Sequence, residues 1–338
     1  MHKFDYSFLD ESLLPSVLVR VTSAISSLKT ASNFRKDDFE QVFTELESIA
    51  KIQSVKSSNE IEGIITSDER IMQIVNQNSA PLNHNEEEIS GYRDALNLIH
   101  TGFDTMQFNE LTVLSLHRTL LSATDYDYGG MYKSDDNVIL EIDAAGNRKV
   151  RFAPVPASET KAAMEQLFLA FMEATANPNI HPLLLIPCVI LDFLCIHPFR
   201  DGNGRMSRLL SLLLLYRSGF DVGKYISFEE QISKDKANYY RSLKKSSENW
   251  HESSNSYFPF MENFLGILYK CYQELEAFYT KKGESQVLVG LLLNAGNYQQ
   301  MKKDSLEGSC NEPLLTPAGS YVIPKYAKSI LVCTNCNS

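Results

Sequence analysis

A short polar stretch between two strongly apolar segments restricts how this chain can fold more than any other feature. Residues 183–196 contain a single charged side chain, Asp192, and residues 209–216 are nearly all leucine. Segments that are apolar all the way round are typical of helices buried in a protein core. The sequence therefore predicts two buried helices that present the residues between them, 197–208, from fixed positions.

The stretch between these helices carries groups that bind phosphate. A Gly-Asn-Gly run at 202–204 directly precedes the predicted helix start. Its successive backbone N–H groups can point into one concavity, and the helix N-terminus adds partial positive charge. Arg205 and Arg208 share one face of the first turn, where both can bind phosphate oxygens. This arrangement predicts a polyphosphate site.

Two more side chains of the stretch suit the chemistry of a bound phosphate. His197 offers an imidazole whose pKa is ordinarily about 6.5, which suits it to accept a proton from an attacking hydroxyl group. Asp201 offers a carboxylate, and Mg²⁺ commonly binds one or two carboxylates together with phosphate oxygens. We therefore expect His197 to act as the general base and Asp201 as the metal ligand.

Residues 197–208 fit the pattern H-P-F-x-[D/E]-G-N-G-R-x-x-R at every fixed position, and the chain thereby resembles the Fic (Fido) family of nucleotidyl transferases. The resemblance implies an all-α fold, namely a Fic-type helical bundle with one β-hairpin flap. It also implies a protein adenylyltransferase, which transfers AMP from ATP, with Mg²⁺, to a serine, threonine or tyrosine hydroxyl of a target protein and releases pyrophosphate.

The same resemblance implies roles for individual residues. Backbone N–H groups and the Asn203 amide would hold the α- and β-phosphates, Arg205 would neutralise the leaving pyrophosphate, and Arg208 would bind the γ-phosphate. A lysine in place of Arg205 marks phosphotransferases of the superfamily, so the arginine argues against that activity. The implied nucleotide-binding residues are Gly202, Asn203, Gly204, Arg205, Arg208, Tyr239 and Tyr240.

The two tyrosines belong to residues 239–243, which resemble the Y-Y-x-x-L stretch of Fic cores. An aromatic ring near a nucleotide site can stack on the base, so one of them is a candidate for contact with adenine. Packing of both rings in the core is an equally open interpretation. Base selection is not readable from the sequence, and transfer of another nucleotide such as UMP is the alternative activity.

A second resemblance lies upstream. Residues 37–62 are predicted to be helical, and Gly63 is suited to end that helix in a left-handed conformation. Ser58 and Glu62 stand four residues apart and share one face. The segment resembles the inhibitory helix motif [S/T]-x-x-x-E-[G/N] of many Fic proteins. This implies that Ser58, Glu62 and Gly63 are regulatory, with Glu62 paired to Arg208, and it allows the same carboxylate to orient water for removal of AMP. A plain solvated helix end is the alternative.

One hairpin is predicted in the otherwise helical chain. Residues 138–142 and 148–152 are rich in β-forming residues and are separated by Asp-Ala-Ala-Gly-Asn. The hairpin resembles the Fic flap, which holds a target segment in extended form through backbone hydrogen bonds, with little dependence on side chains. We therefore expect a target protein to bind along residues 136–153. Self-modification and a homodimer are further partner hypotheses, and a hairpin that only covers the core is the alternative.

Residues 78–88 are mostly polar and are interrupted by a proline, which predicts a linker. The chain is expected to divide into an N-terminal helical region with the inhibitory helix (1–85), a Fic catalytic domain (86–280) and a C-terminal tail (281–338). The tail mixes Pro, Gly, Ser and Asn and allows only an incomplete winged-helix module. Cys333 and Cys336 form a C-x-x-C there, without the second pair of ligands that a zinc site needs.

Three residues with reactive side chains have a simpler interpretation. His117 lies among leucines in a predicted helix at 111–121, preceded by Asn109 as a candidate N-cap. We expect it to be a buried histidine with satisfied hydrogen bonds. Cys188 and Cys195 lie inside the apolar segment and are expected to be buried free thiols.

Composition limits the remaining functional classes. A formal net charge of −10 and a pI of about 5.3 argue against nucleic-acid binding by the chain as a whole. The longest apolar run is too short to span a bilayer, and the N-terminus lacks the features of a signal peptide. We expect a cytoplasmic protein without a membrane partner. A regulatory protein that binds DNA or a partner through residues 281–303, which carry four lysines, is the alternative from a different class.

Overall fold

The computed structural model describes residues 2–35, 40–142 and 148–280. Within these ranges the chain forms α-helices and one two-stranded hairpin, so the predicted all-α fold with a single hairpin is confirmed. The elements are α1 (Phe8–Glu11), α2 (Ser16–Arg35), α3 (Glu40–Ile61), α4 (Asp68–Gln77), α5 (His84–Gly102), α6 (Glu110–Leu120), β1 (Ile139–Ile142), β2 (Arg148–Phe152), α7 (Ala157–Ala176), α8 (Pro182–Ile196), α9 (Asn203–Arg217), α10 (Phe228–Lys234), α11 (Lys236–Ser247) and α12 (Phe258–Thr280). The predictions for the tail, including Cys333 and Cys336, fall outside the described residues.

Side-chain caps set the start of two central helices. Asn109 is the N-cap of α6, as predicted, and its side chain accepts a hydrogen bond from a backbone N–H of the first turn. Asn83 caps α5 in the same way. Because of this cap, α5 begins at His84, inside the segment 78–88 that was predicted to be a linker, and the connection is shorter than expected.

The core is built around α8 and α9, which pack against each other. Residues 183–196 of α8 and residues 205–216 of α9 are all buried, so the two predicted core helices are confirmed. Cys188 and Cys195 are buried free thiols, also as predicted. The polar loop, residues 197–202, therefore connects two helices whose positions are fixed by the core.

The end of α3 lies inside the helical assembly, because α3 packs against α5, α9 and α10. Ser54 of α3 donates a hydrogen bond of 2.8 Å to Glu229 of α10, and both side chains are buried. Ser58 and Asn59 in the following turn are fully buried. The turn before Glu62 is therefore buried, whereas the Glu62 side chain at the end of the segment is partly exposed, with 32% of its surface accessible.

Asp192, the one charged residue in the apolar part of α8, is fully buried in a polar network. It accepts hydrogen bonds from Tyr6 (2.7 Å), Trp250 (2.7 Å) and Tyr257 (2.9 Å). The ring of His2 stacks on Trp250 with a centroid distance of 4.1 Å. Burial raises the pKa of Asp192 to about 7 and lowers the pKa of His2 to about 4. The network ties the N-terminal segment and the segment before α12 to the helix that ends at the polar loop.

The hairpin pairs β1 antiparallel to β2, with Leu140 opposite Val150 and Ile139 opposite Phe152. The Phe152 ring stacks on His251 at a centroid distance of 5.3 Å, and His251 Nε2 lies 2.7 Å from the Ala153 carbonyl oxygen. These contacts anchor the end of β2 to the segment that also supplies Trp250.

The described residues up to Glu276 form one compact unit. Over the described ranges, none of the helices combines the length and apolar character needed to cross a bilayer.

Candidate active site

His197 caps the C-terminus of α8 in a left-handed conformation, with φ of 51°. Its Nδ1 lies 3.3 Å from the Leu194 carbonyl oxygen. Because a carbonyl can only accept, Nδ1 carries the proton in this contact and Nε2 keeps a free lone pair. Burial lowers the pKa of His197 to about 4. The imidazole is therefore neutral near pH 7 and can accept a proton at Nε2.

The Asn203 side chain closes the polar loop on itself. Its Oδ1 accepts from the Phe199 N–H over 2.9 Å, and its Nδ2 donates to the Phe199 carbonyl over 2.7 Å. The sequence predicted that this amide would bind a phosphate, but in the structure both of its ends are used within the loop. The side chain of Asn203 shapes the loop, and the donors left for a phosphate are the second N–H of Nδ2 and the backbone N–H.

Two glycines shape the start of α9. Gly202, with φ of 79°, is the N-cap, and its carbonyl accepts from the Met206 N–H over 2.8 Å. The first N–H groups of an α-helix have no partner inside the helix, so those of residues 203–205 point toward the loop side and suit an anion. Gly204 faces the Glu62 carboxylate, and a Cβ at this position would collide with it.

The guanidinium of Arg205 is buried, and two of its nitrogen donors have no acceptor among the described residues. Its Nη2 lies 2.6 Å from Glu88 and 3.3 Å from Asp201. In the part of the chain that is described, its Nε and Nη1 are buried without a hydrogen-bond acceptor. Buried donors without partners are costly and uncommon. Phosphate oxygens would supply the missing acceptors, so the residue fits an anionic ligand.

Asp201 has a half-exposed side chain, with 51% of its surface accessible. No group of three histidine, cysteine or acidic side chains that could hold a metal ion occurs within residues 2–35, 40–142 and 148–280. A single accessible carboxylate fits Mg²⁺, which keeps several waters and binds phosphate oxygens of a substrate.

His117 of α6 supports the polar loop. Its Nε2 donates to the Asp201 carbonyl over 3.1 Å, and its Nδ1 accepts from the Gly130 N–H over 3.0 Å. The ring stacks on Phe199 with a centroid distance of 3.7 Å. The prediction of a buried histidine with satisfied hydrogen bonds is confirmed.

The end of α3 holds the guanidinium of Arg208. Nε donates to Ser58 Oγ over 2.8 Å, and Nη2 donates to the Ser58 carbonyl over 2.9 Å and to Glu62 Oε1 over 2.8 Å. Burial raises the pKa of Glu62, but the charge and hydrogen bond of Arg208 outweigh it, so the pKa lies below its ordinary value. The expected contact between Glu62 and Arg208 is present, with Glu62 ionised. Gly63 follows α3 in a left-handed conformation with φ of 83°, also as expected.

A cavity of about 200 Å³ brings the polar loop, the end of α3 and the hairpin together. Glu62, His197 and Gly204 meet Arg151 and Phe152 of β2 in its walls. The hairpin therefore stands directly beside the imidazole, and a chain segment bound to it would be near His197.

The structure separates the two predicted tyrosines. Tyr240 lines the cavity. Tyr239 is 4% exposed, and its ring packs between Tyr240 and Phe260, with centroid distances of 5.5 and 5.7 Å. Tyr240 can therefore reach a ligand in the cavity, whereas Tyr239 is packed in the core.

Sequence reasoning missed three charged residues at this site: Glu88, Lys133 and Arg151. Glu88 is the last of three consecutive glutamates in the first turns of α5, and nothing local shows that it faces Arg205. Lys133 lies in an irregular segment without periodicity, yet it is 5% exposed. For Arg151, the only signal in the sequence was the alternation of side chains between the two faces of the predicted strand.

Comparisons with known proteins agree with this geometry. The profile of the Fic/DOC family matches residues 107–215. A Fido domain-containing protein of Dictyostelium discoideum is 30% identical over 109 residues, which are 32% of this chain and 70% of that protein. A protein adenylyltransferase Fic of Drosophila ananassae is 30% identical over 49% of this chain, and the match spans only 30% of the fly protein. A Fic family protein from Desulfovibrio desulfuricans has the same fold, with a TM-score of 0.65 at 22% identity, over 89% of this chain and 86% of that one.

Proposed function

The chain belongs to the Fic/DOC family, and from that premise we propose that it is a protein adenylyltransferase, which transfers AMP from ATP to a serine, threonine or tyrosine hydroxyl of a target protein. One observation carries the proposal. The neutral imidazole of His197 stands at the start of the polar loop. Arg205, whose buried Nε and Nη1 have no acceptor among the described residues, lies in the first turn of the helix that follows the loop. A base and an anion site are thus held by the loop and the helix into which it leads.

The proposed reaction follows from these groups. Nε2 of His197 takes the proton of the target hydroxyl as the hydroxyl oxygen attacks the α-phosphorus of ATP. The bond from the α-phosphorus to the bridging oxygen breaks, and pyrophosphate leaves with the electron pair. Arg205 neutralises the charge on the leaving pyrophosphate. The first N–H groups of α9 bind the α- and β-phosphates.

Asp201 would hold Mg²⁺ in the loaded enzyme, where the ion would neutralise charge on the phosphate oxygens. The backbone carbonyl of Asp201 accepts a hydrogen bond from His117 of α6, and this bond fixes the backbone of the proposed metal-binding residue. Its carboxylate lies 3.3 Å from Arg205. The two residues would therefore bind the metal and the phosphates side by side.

Glu62 is proposed to inhibit the enzyme. As long as its carboxylate accepts from Arg208, the guanidinium is not available to a γ-phosphate, and ATP would bind with its α-phosphate out of line with the attacking hydroxyl. For an AMP-modified target, we propose that the same carboxylate orients water for removal of AMP.

The target is proposed to bind along the flap, residues 136–153, as an added strand. Arg151 and Phe152 of the flap share the cavity with His197, which supports delivery of a hydroxyl to the imidazole. The protein itself can serve as one such target. We place the activity in the cytoplasm.

The test is to incubate the Glu62→Gly protein with ATP labelled at the α- or at the γ-phosphate. Label from the α-phosphate should enter protein, and label from the γ-phosphate should not. Entry of the γ label would instead indicate a phosphotransferase. His197→Ala in the same background is the control, and α-labelled UTP tests the alternative nucleotide.

A further inference from the structure

The segment before the hairpin binds three carbonyl groups, one at the end of α8 and two in the polar loop. The Lys133 N–H donates to the Pro198 carbonyl over 2.9 Å, and Lys133 Nζ donates to the Ile196 carbonyl over 3.2 Å. Asn137 Nδ2 donates to the Phe199 carbonyl over 3.1 Å. Lys133 therefore binds the carbonyls of both residues that flank His197.

Lys133 also binds Asn137 directly, since its Nζ donates to Asn137 Oδ1 over 2.8 Å. One side chain thus orients the other, and both reach the loop. Lys133 is 5% exposed. Burial lowers its pKa to about 8, whereas the charge of Asp136 opposes that change. The ammonium form still predominates at pH 7.

A buried ammonium near a histidine disfavours the charged form of the ring. Of the groups that face His197, Lys133 and Arg151 of β2 lower its pKa, in addition to burial. The Leu194 carbonyl of α8 and Glu62 of α3 raise it. Lys133 is also hydrogen-bonded to Ile196, the last residue of α8, which directly precedes the histidine.

We propose that Lys133 is a positioning residue for His197: its ammonium fixes the carbonyl before the histidine and keeps a positive charge near the imidazole, so that the ring stays neutral and in place. The inference rests on the proposed function, in which His197 takes the hydroxyl proton. A lysine that only stabilised the loop would affect stability and overall rate, without changing the protonation of the ring.

The first test measures that protonation directly. Protein labelled at histidine ¹³Cε1 is titrated by NMR, and the signal of His197 is identified by its loss in His197→Ala. In the wild type, His197 should titrate below pH 6. In Lys133→Met it should titrate nearer the ordinary value of about 6.5, and Lys133→Arg, which keeps the charge, should stay close to the wild type. Lys161→Met removes an exposed lysine of α7 and serves as the matched control.

The second test uses the rate of AMP transfer in the Glu62→Gly background. Burial, the largest cause of the low pKa of His197, remains in Lys133→Met. The ratio of the kcat at pH 6 to that at pH 8 should therefore fall in this variant, by about fourfold at most, which is the fall expected for a pKa of about 6.5. Lys133→Arg should restore that ratio. The KM for ATP should stay unchanged, because Lys133 contacts carbonyls of the loop.

An unchanged His197 titration in a folded Lys133→Met protein would overturn the proposal. If Lys133→Met does not fold, the titrations of His197 in the wild type and in Lys133→Arg test the proposal instead. A wild-type His197 that titrates at pH 6.5 or above contradicts the role of the lysine. The NMR titration requires no turnover. Failure of the adenylyltransferase proposal and failure of this one are therefore distinguishable.

Discussion

Glu62 lies against Gly204, so closely that a Cβ on residue 204 would collide with its carboxylate. The same carboxylate accepts from Arg208, one turn further along α9. Glu62 therefore covers the first turn of α9 from the side of α3. Any ligand that uses both the start of α9 and Arg208 must compete with this one side chain.

Removal of the Glu62 carboxylate should activate AMP transfer. In the proposed mechanism, Glu62→Gly frees Arg208 for the γ-phosphate and restores in-line geometry at the α-phosphate, so we expect incorporation of AMP to rise on the order of a hundredfold. Glu62→Gly combined with Arg208→Ala should lose the gain. Glu60→Gly places the same helix-weakening residue two positions earlier and should leave incorporation at the wild-type level. Equal incorporation by wild type and Glu62→Gly would exclude inhibition by this segment.

His197→Ala should separate binding from chemistry. In the Glu62→Gly background it should reduce AMP transfer by about 10²–10⁴-fold, the usual contribution of a general base. ATP binding measured by calorimetry should change little, because in the proposed binding mode the phosphates contact the start of α9 and the arginines. Undiminished transfer by the alanine variant would show that His197 is not the base.

The acid limb of the pH–rate profile should lie below pH 6.5. Because burial lowers the pKa of His197 to about 4, its neutral form persists as the pH falls. Glu62 raises the pKa of His197, so its removal should shift the acid limb to still lower pH. The kcat of Glu62→Gly should therefore stay constant between pH 8 and pH 6. A loss of rate centred at pH 6.5 or higher contradicts the expectation.

Arg205→Ala should both destabilise the fold and weaken ATP binding. It leaves Glu88 buried without its 2.6 Å partner, a change that typically costs about 3–5 kcal/mol. It also removes the proposed phosphate contact, and a hydrogen bond to a charged group is typically worth about 1.5–3 kcal/mol. Addition of Glu88→Gln should recover part of the stability, measured by denaturant unfolding, but not the affinity for ATP. Recovery of both would mean that Arg205 acts on the nucleotide only through the fold.

Asp192→Asn should cost more stability at pH 5 than at pH 8. Since the pKa of Asp192 is raised to about 7 in the folded protein, the native state keeps a proton that the unfolded chain releases. This contribution is complete below about pH 4 and is lost as the pH rises through 7. The difference between the two penalties should be on the order of 2 kcal/mol. Denaturant unfolding at both pH values measures it, with Asp125→Asn at an exposed position as the control; equal penalties would contradict the raised pKa.

The parts of the fold that carry a local signal were predictable. The apolar runs at 183–196 and 209–216 predicted α8 and α9, because every face of these segments is apolar. The Asn109 cap and the turn at Gly63 were predictable for the same reason, since each depends on one residue and its immediate neighbours.

The parts of the site that join distant segments were not predictable from residue patterns. The ion pair of Glu88 with Arg205 and the bonds of Lys133 to the polar loop depend on how α5 and the segment before the hairpin pack on α8 and α9. No spacing along the chain encodes these contacts. The Asn203 amide was assigned to a phosphate because its residue type suits one, and only the three-dimensional loop shows that Phe199 occupies both of its ends.

The hydrogen-bond donors to Asp192 indicate which residues a shortened version of this protein must keep. The family match covers residues 107–215 and includes Asp192, but Tyr6, Trp250 and Tyr257 all lie outside it. A recombinant fragment trimmed to the matched residues would keep a carboxylate at the centre of an apolar helix and lose every side chain that satisfies it. We therefore expect the matched segment alone to be less stable than the full chain, and a fragment for functional work should keep the residues from Tyr6 to at least Tyr257.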